Sequence, residues 1–472
     1  MAQGVSYFEF RQAVLQFRPS NLLPFLARYS APKELRTPPS RAGDWFPWAV
    51  SAIAKESALG GSEFMKAEID ERGLKRLVNL LNVSADLVPN QSVPSLVTPT
   101  MYEQFPYQES LYEELARTHA LLVHNEPGQA PIQWEDLLGI GLDEAIRASM
   151  VLNGWLAGTD GCFDPGILDS ARFQQIYKKY VPRQELERTA SLLTATIPEL
   201  KQARADADRR ATMPDRLERY AFNPLRSTPL VDLRTKGIWA PQSMFVPRAF
   251  TGPNLYYRGL RKWGSAFADG LGDRTQRYVG RQLSLMEGIR LHPEIEYEKA
   301  RLSVDWLWVS DSAVILVECK AARLTLDAQA GGESLATVME RYLGTARKQI
   351  DTTARLIRDG HRAFAAIPND RPIVGIVTTA EQFYPAGTPF SGFDSSGEVP
   401  VTNLSLRDLE FLVGLTESEA AKIVIDHAHP DWEGGRFGGA FSDDVRKRRN
   451  PILQEAWEHF EFLARRKPSG SS

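Results

Sequence analysis

The apolar positions of this chain change their period part-way along it. In the first part, "SEFMKAEIDERGLKRLVNLLNV" and "YQESLYEELARTHALLV" repeat apolar residues at three-and-four spacing, which predicts helices. "QELERTASLLTATIPELKQARADADRRA" predicts one long charged helix or a pair. Pro-rich stretches such as "SADLVPNQSVPSLVTPT" read as connectors. Residues 1–215 are thus expected to form a mainly helical accessory domain. Residues 216–262, rich in Pro, Gly and aromatics without a clear period, read as an extended connector.

From 263 onward helices alternate with short apolar runs. A helix through "DRTQRYVGRQLSLMEG" is followed by two strands, "LSVDWLWV" and "AVILVECK". Then comes a long helix, "ESLATVMERYLGTARKQIDTTARLIRDG". Leu335, Val338, Tyr342, Ala346, Ile350 and Ile357 trace one apolar stripe along it, and Gly360 suits the position just past its end. "RPIVGIVTTA" reads as a strand, "LSLRDLEFLVGL" as a helix, and "IRLHPEIEYEKA" as the source of one more strand. The order α-β-β-α-β predicts an α/β unit over 263–430, a small mixed sheet flanked by helices. Residues 431–472 read as a basic C-terminal helix and tail with a disordered finish.

The two strands carry charge where core is expected. Asp305, Glu318 and Lys320 lie inside apolar runs, and charged groups are seldom buried unless paired or metal-bound. A hairpin turning at "SDSA" pairs 309 with 314 and sets Asp305 opposite Glu318. Alternation then puts Lys320 on the same face and turns Cys319 away with Val317 and Ile315. Two opposed carboxylates repel, and a hard divalent cation between them reverses that term. Mg²⁺ fits such a site and Mn²⁺ is an alternative, with Asp305, Glu318 and the Cys319 carbonyl as ligands and Lys320 beside the reacting group. A buried ion pair from Lys320 to either acid is the other reading.

Composition bounds the setting. The chain has 472 residues, 43% hydrophobic and 24% charged, which implies more than one core. No run of about eighteen apolar residues predicts a membrane span, and the N-terminus lacks a signal-peptide pattern. Cys162 and Cys319 are the only cysteines, which points to a reducing, cytoplasmic setting without a disulfide framework. The net charge of −3 does not by itself announce a polyanion partner, so a nucleic-acid reading rests on local basic patches. Such patches surround the α/β unit: Arg258, Arg261, Lys262, Arg274, Arg277, Arg281 and Arg290, then Arg347 and Lys348, then Arg446 to Arg449. They suit phosphate contacts that position a nucleic acid, and they equally suit solvated faces. "DHAHPD" at 426–431 holds ligand-type residues but follows a helix-like run, where histidines are ordinary.

The acid–hairpin–Glu-x-Lys layout resembles the PD-(D/E)xK nuclease superfamily, whose fold is restriction-endonuclease-like. Asp305 matches the first acid and Glu318-Cys319-Lys320 the E-x-K tripeptide, while Val304 stands where the family often has proline. The resemblance covers roughly residues 263 to 415. The lead-in "YAFNPLRSTPLVDL" and "GLGDRTQRYVG" is similar to that of bacterial members with a helical N-terminal domain, several suspected of acting against foreign DNA. The resemblance implies Mg²⁺-dependent cleavage of nucleic acid, DNA before RNA. It also implies a site glutamate in the preceding helix, where this chain has Gln276, and an approach to the site by Gln349. Asp273 with Gln276 otherwise reads as a capping box. The alternatives are a non-catalytic nucleic-acid-binding module and a protein-interaction module working through the helical domain. The oligomeric state is open.

Overall fold

A five-stranded mixed sheet organises the second half of the chain in the computed structural model. The structure describes all residues except 1–4, 32–45, 85–92, 211–214, 322, 333, 385–396, 430–436 and 461–472. The strands are β1 (Leu291–Pro293), β2 (Trp306–Val309), β3 (Val314–Lys320), β4 (Ile373–Thr379) and β5 (Val401–Ser405), in the spatial order β5-β4-β3-β2-β1. β1, β2 and β3 are antiparallel neighbours, whereas β3, β4 and β5 run parallel. The helices that position the site are α1 (Leu111–Leu122), α2 (Gly252–Trp263), α3 (Ser265–Leu283), α4 (Thr345–Arg358), α5 (Leu406–Leu412) and α6 (Pro451–Glu458).

β3 is apolar along most of its length because both faces are covered, as parallel strands require. Val314 and Leu316 join Leu307 and Val309 in a core closed by Ala346, Ile350 and Ile357 of α4. Ile315 and Val317 join Trp308 on the other face, against Tyr278, Val279 and Leu283 of α3. The layers are therefore α4, sheet and α3. The stripe expected on the long helix is the face that α4 buries, and Gly360 takes a left-handed φ of 66° just past its end. Residues Ser334–Met339 lead into α4 through one π turn at Glu340–Gly344.

Several boundaries differ from expectation. Residues 216–262 are not an extended connector, since α2 occupies Gly252–Trp263 and short strands lie at Leu230–Asp232 and Ile238–Trp239. Leu255 and Gly259 form the buried side of α2, a stripe too thin to stand out among its aromatics. The Pro-rich stretch before α1 forms a helix over Val93–Gln104, with Pro99 inside it; residues 85–92 lie outside the description. The charged segment is a pair of helices, Arg183–Leu193 and Ile197–Arg210. β5 was not foreseen as a separate strand, because its last residues were read as helix.

Packing does not break at 215. Leu115 of α1, Tyr278 of α3, Ile315 of β3 and Leu453 of α6 belong to one continuous core. A buried polar link crosses it: Arg117 of α1 donates twice to Glu410 of α5, at 2.6 Å each, and the Tyr278 hydroxyl donates to the same carboxylate at 2.7 Å. The described part of the C-terminal segment is helical, as expected, and it joins the core, because Ile452, Leu453, Ala456 and Phe460 are buried. Pro451 starts α6 afresh after the short helix Asp443–Lys447; the expected disordered finish lies outside the described residues. A second, N-terminal core gathers Phe10, Leu22, Ile53 and Leu74 with Leu200 and Val231.

Gly280 of α3 faces Trp306 of β2 so closely that a Cβ there would lie 2.1 Å from the indole Cζ2. The indole is held in place, since its Nε1–H donates to the Gln276 carbonyl at 2.9 Å. We expect Gly280→Ala to destabilise the fold by about 1–3 kcal/mol through overpacking. Urea denaturation checks this, and an unchanged midpoint would mean that the Trp306 ring swings aside at no cost.

Candidate active site

The hairpin register brings the charged residues together. Trp306 pairs with Val317 and Val309 with Val314, and the Ser310 N–H donates to the Ala313 carbonyl at 2.9 Å. One step beyond the last pair lies Asp305, opposite Glu318. The Asp305 Oδ2 accepts the Cys319 N–H at 2.7 Å, so the carboxylate caps the end of the ladder. Glu318 and Lys320 share the face of Val314 and Leu316, while the Cys319 side chain packs on the opposite core. In an extended strand the N–H and C=O of one residue leave by the same edge. The Cys319 carbonyl therefore also faces Asp305.

Lys320 fixes the geometry of this cluster. Its Nζ donates to Glu318 Oε1 at 2.6 Å and to Gln349 Oε1 of α4 at 3.0 Å. Glu318 is 2% exposed, and its Oε2 has no hydrogen-bond partner among the described residues. A buried carboxylate oxygen without a donor is costly, and an ion pair through Oε1 alone leaves that cost standing. Burial and the neighbouring Asp305 charge push the Glu318 carboxyl up to about 7, against the pull of Lys320. Burial also raises Asp305, opposed by the Cys319 N–H and by Lys320.

A third acid joins this row. β1 pairs with β2 at Pro293↔Trp306, so one step further puts Glu294 beside Asp305. Its charge adds to the upward push on Asp305. Glu294 was not singled out from the sequence. The signal was the register of the outer strand, which needs the turn between β1 and β2 to be known. Glu294, Asp305 and Glu318 thus occupy adjacent positions across three strands, with Lys320 and Gln349 closing the side toward α4.

The donor set suits a hard divalent cation. It has two carboxylates in opposition, one orphaned oxygen and a main-chain carbonyl on the same edge. Among the described residues no three His, Cys, Asp or Glu side chains gather as a ready-made metal cage. Water and substrate oxygens fill the remaining positions in sites of the Mg²⁺ type.

The other predicted residues divide. Arg274 is buried and spent on structure: it donates to the carbonyls of Leu121, His124 and Ala130 and to the Asn125 Oδ1. It is not a phosphate contact. Gln276 lies on α3, on the far side of the sheet from the carboxylates, and no hydrogen bond ties its amide to them among the described residues. The capping-box reading fails as well, because α3 begins at Ser265 and Asp273 lies mid-helix, bonded to Arg277 at 2.9 Å and to Gln129 at 2.9 Å. Arg277 and Arg281 sit on α3 near acids, with Arg281 at 3.7 Å from Glu126. Arg347 and Lys348 lie on α4 next to Gln349; Lys348 is exposed, and Arg347 donates to the Val399 carbonyl at 3.4 Å. The basic residues Arg446 and Arg448 donate to carbonyls of Gly438 and Gly414. His427 contacts the Ile423 carbonyl at a helix end, while Pro430 and Asp431 lie outside the described residues.

Comparison with protein families, with curated proteins and with solved structures finds no match for this chain. No helix among the described residues is long and apolar enough to cross a membrane.

The Glu318 carboxyl binds its proton more tightly in the folded chain than in the unfolded one. Folded protein then holds the extra proton between the ordinary carboxylate range and about pH 7, so stability falls as pH rises through that window. With a chelator present, the parent should lose up to about 3 kcal/mol more over that window than Glu318→Gln does. Denaturant titrations from pH 4.5 to 8 measure it, and parallel stability curves for the two proteins would sink the idea.

Proposed function

We propose that this chain is a metal-dependent nuclease with a restriction-endonuclease-like α/β unit, hydrolysing phosphodiester bonds in DNA. The observation that carries the reading is the buried Asp305–Glu318–Lys320 cluster with its unpartnered Glu318 Oε2. The strand order and the helix on each face support the same reading.

A divalent cation of the Mg²⁺ type, when bound, supplies charge neutralisation on the phosphate and activation of water. Asp305, Glu318 and the Cys319 carbonyl would hold it, with Glu294 at the open edge. The Cys319 N–H fixes the Asp305 carboxylate, so that group does not reorganise when substrate arrives. Gln349 and Glu318 hold the Lys320 ammonium at the rim of the cluster. There it stabilises the charge that builds on the phosphoryl oxygens as the water oxygen bonds to phosphorus and the bridging P–O bond breaks. The exposed Lys348, one residue before Gln349, suits a contact with the neighbouring phosphate.

A second reading has one observation in its favour. Lys320 and Glu318 form a close ion pair, which a non-catalytic nucleic-acid-binding module would also keep. Cleavage assays separate the two. Supercoiled, linear and single-stranded DNA are incubated with Mg²⁺, Mn²⁺ or EDTA. The parent should cleave with Mg²⁺ or Mn²⁺ and stop with EDTA. Lys320→Ala and Asp305→Asn should each lose at least about 100-fold in rate while still binding DNA. DNA binding without cleavage in any metal would establish the second reading, and absence of both would remove nucleic acid as the substrate.

Position within the fold also makes different claims for Gln276 and Glu294. Metal titrations of cleavage should superimpose for the parent and Gln276→Ala, because α3 packs on the other face of the sheet and no hydrogen bond ties the amide to the cluster among the described residues. Glu294→Gln should raise the metal concentration needed for half-maximal rate, by about two- to tenfold, through the loss of one nearby charge at partly screened distance. A shift for Gln276→Ala with none for Glu294→Gln would reverse this assignment.

A further inference from the structure

A cavity of about 140 Å³ opens where the three parallel strands end. Arg323 follows β3, Glu381 follows β4 and Ser405 ends β5, and all three line it. Crevices at the carboxyl ends of parallel strands are the usual ligand sites of α/β sheets. This one adjoins the carboxylate cluster directly, since the Ala380 N–H in its wall donates to the Lys320 carbonyl at 3.0 Å.

The cavity holds more guanidinium donors than acceptors. Arg323 is 8% exposed; it stands 3.1 Å from Glu381, stacks at 5.6 Å over the Tyr256 ring, and its Nε has no hydrogen-bond partner among the described residues. Arg248 is spent on Glu114 and the Glu109 carbonyl through its terminal nitrogens, yet its buried Nε is likewise unpartnered. Arg226, half-buried in the lining, forms no ion pair or side-chain hydrogen bond among the described residues, although its charge acts on Glu381. Burial pushes both Glu114 and Glu381 upward, which weakens their neutralising charge. Unpaired donors in a buried site cost free energy until an acceptor arrives. Guanidinium groups pair best with planar or tetrahedral oxyanions, and phosphate takes them bidentately. The remaining wall is aromatic and apolar, with Tyr256, Phe267 and Tyr384, and a volume of about 140 Å³ holds one phosphate group but not a whole mononucleotide.

We propose that this cavity is a binding site for the terminal group of a phosphate monoester, with Arg226 and Arg323 as its phosphate contacts and the rest of the ligand outside its mouth. Two sources carry that chemistry: a free mononucleotide, or the 5′-phosphorylated end of a strand lying on the adjacent cluster.

Isothermal titration of the full chain in EDTA tests it with adenosine monophosphate, adenosine and inorganic phosphate. Parallel titrations use a short single strand with and without its 5′-phosphate. The monophosphate should bind at least about tenfold more tightly than adenosine. Arg226→Gln and Arg323→Gln should each weaken it by about tenfold or more, with Arg226→Lys between them and the parent. Arg226 forms no ion pair or side-chain hydrogen bond among the described residues, so its variants keep the test readable even where Arg323→Gln fails to fold. A 5′-phosphorylated strand that outbinds its hydroxyl counterpart and the mononucleotide assigns the site to strand ends; tighter mononucleotide binding assigns it to the free ligand. Equal affinity for adenosine and its monophosphate overturns the proposal. So does undiminished binding by a folded Arg226→Gln protein. Binding is read without cleavage, so a failure here is distinct from a failure of the nuclease reading.

Discussion

The register between β2 and β3 is the constraint on which the rest of the molecule depends. Both strands are buried on both faces, so a slip of one residue would exchange Trp308 for Leu307 and Ile315 for Leu316 in cores shaped for the other. The slip is blocked at the turn. The Ser310 N–H bonds to Ala313, Arg371 donates to the Ser310 carbonyl, and the Val314 N–H takes the Pro372 carbonyl at the start of β4. It is blocked again mid-strand, where the Trp308 indole donates to Glu417 at 2.7 Å. With those points fixed, the polar ends of the two strands have one possible alignment. Asp305 meets Glu318, and the acids share a face because their strands share a register.

The location of the charge follows from where the sheet stops being covered. β3 is buried from Val314 to Glu318 and half-exposed at Cys319 and Lys320. The cluster stands at that transition, close enough to the core for the carboxylates to lose water and close enough to the edge for a ligand to reach them. Desolvation raises the energy of the two acids, and Lys320 offsets only part of it. The cluster is therefore held in a state that a cation improves, and the surrounding cores, not the cluster, supply the stability that keeps it there.

This much was legible in the sequence because it needed only strand alternation and an even-numbered turn. Quantities that depend on distant partners were not. Arg274 and Arg347 look alike as letters in basic stretches. One is wrapped by four acceptors from the end of α1 and the segment after it, and the other lies two residues before Gln349 on the helix that faces the cluster. The start of α3 was misplaced because "GSAFADGLG" carries three glycines, yet tertiary packing of Phe267 and Leu271 extends the helix through it. The division at 215 followed a real change in composition. Composition does not reveal that Arg117 closes an ion pair with Glu410 almost three hundred residues later. Glu294 escaped notice for the same reason, since its neighbour across the sheet is defined by a pairing and not by a spacing.

Counting acceptors around each guanidinium separates arginines that build the fold from arginines that await a ligand. Each carries five N–H donors in a rigid fork. Arg117 is matched by both oxygens of one carboxylate and Arg274 by three carbonyls and an amide, so neither can turn to a new partner without leaving buried acceptors behind. Arg323 and Arg226 show the opposite balance. Arg323 lies over the Tyr256 ring with its buried Nε unmet among the described residues, and Arg226 has no ion pair or side-chain hydrogen bond among them; both line the cavity beside the strand ends that also carry Lys320. Arg248, whose buried Nε also lacks a partner among the described residues, adds to the deficit of acceptors in the same cavity. The unmet Nε of Arg323 and the unmet Oε2 of Glu318 lie at the same end of β3, so one edge of one sheet lacks a partner both for a donor and for an acceptor among the described residues.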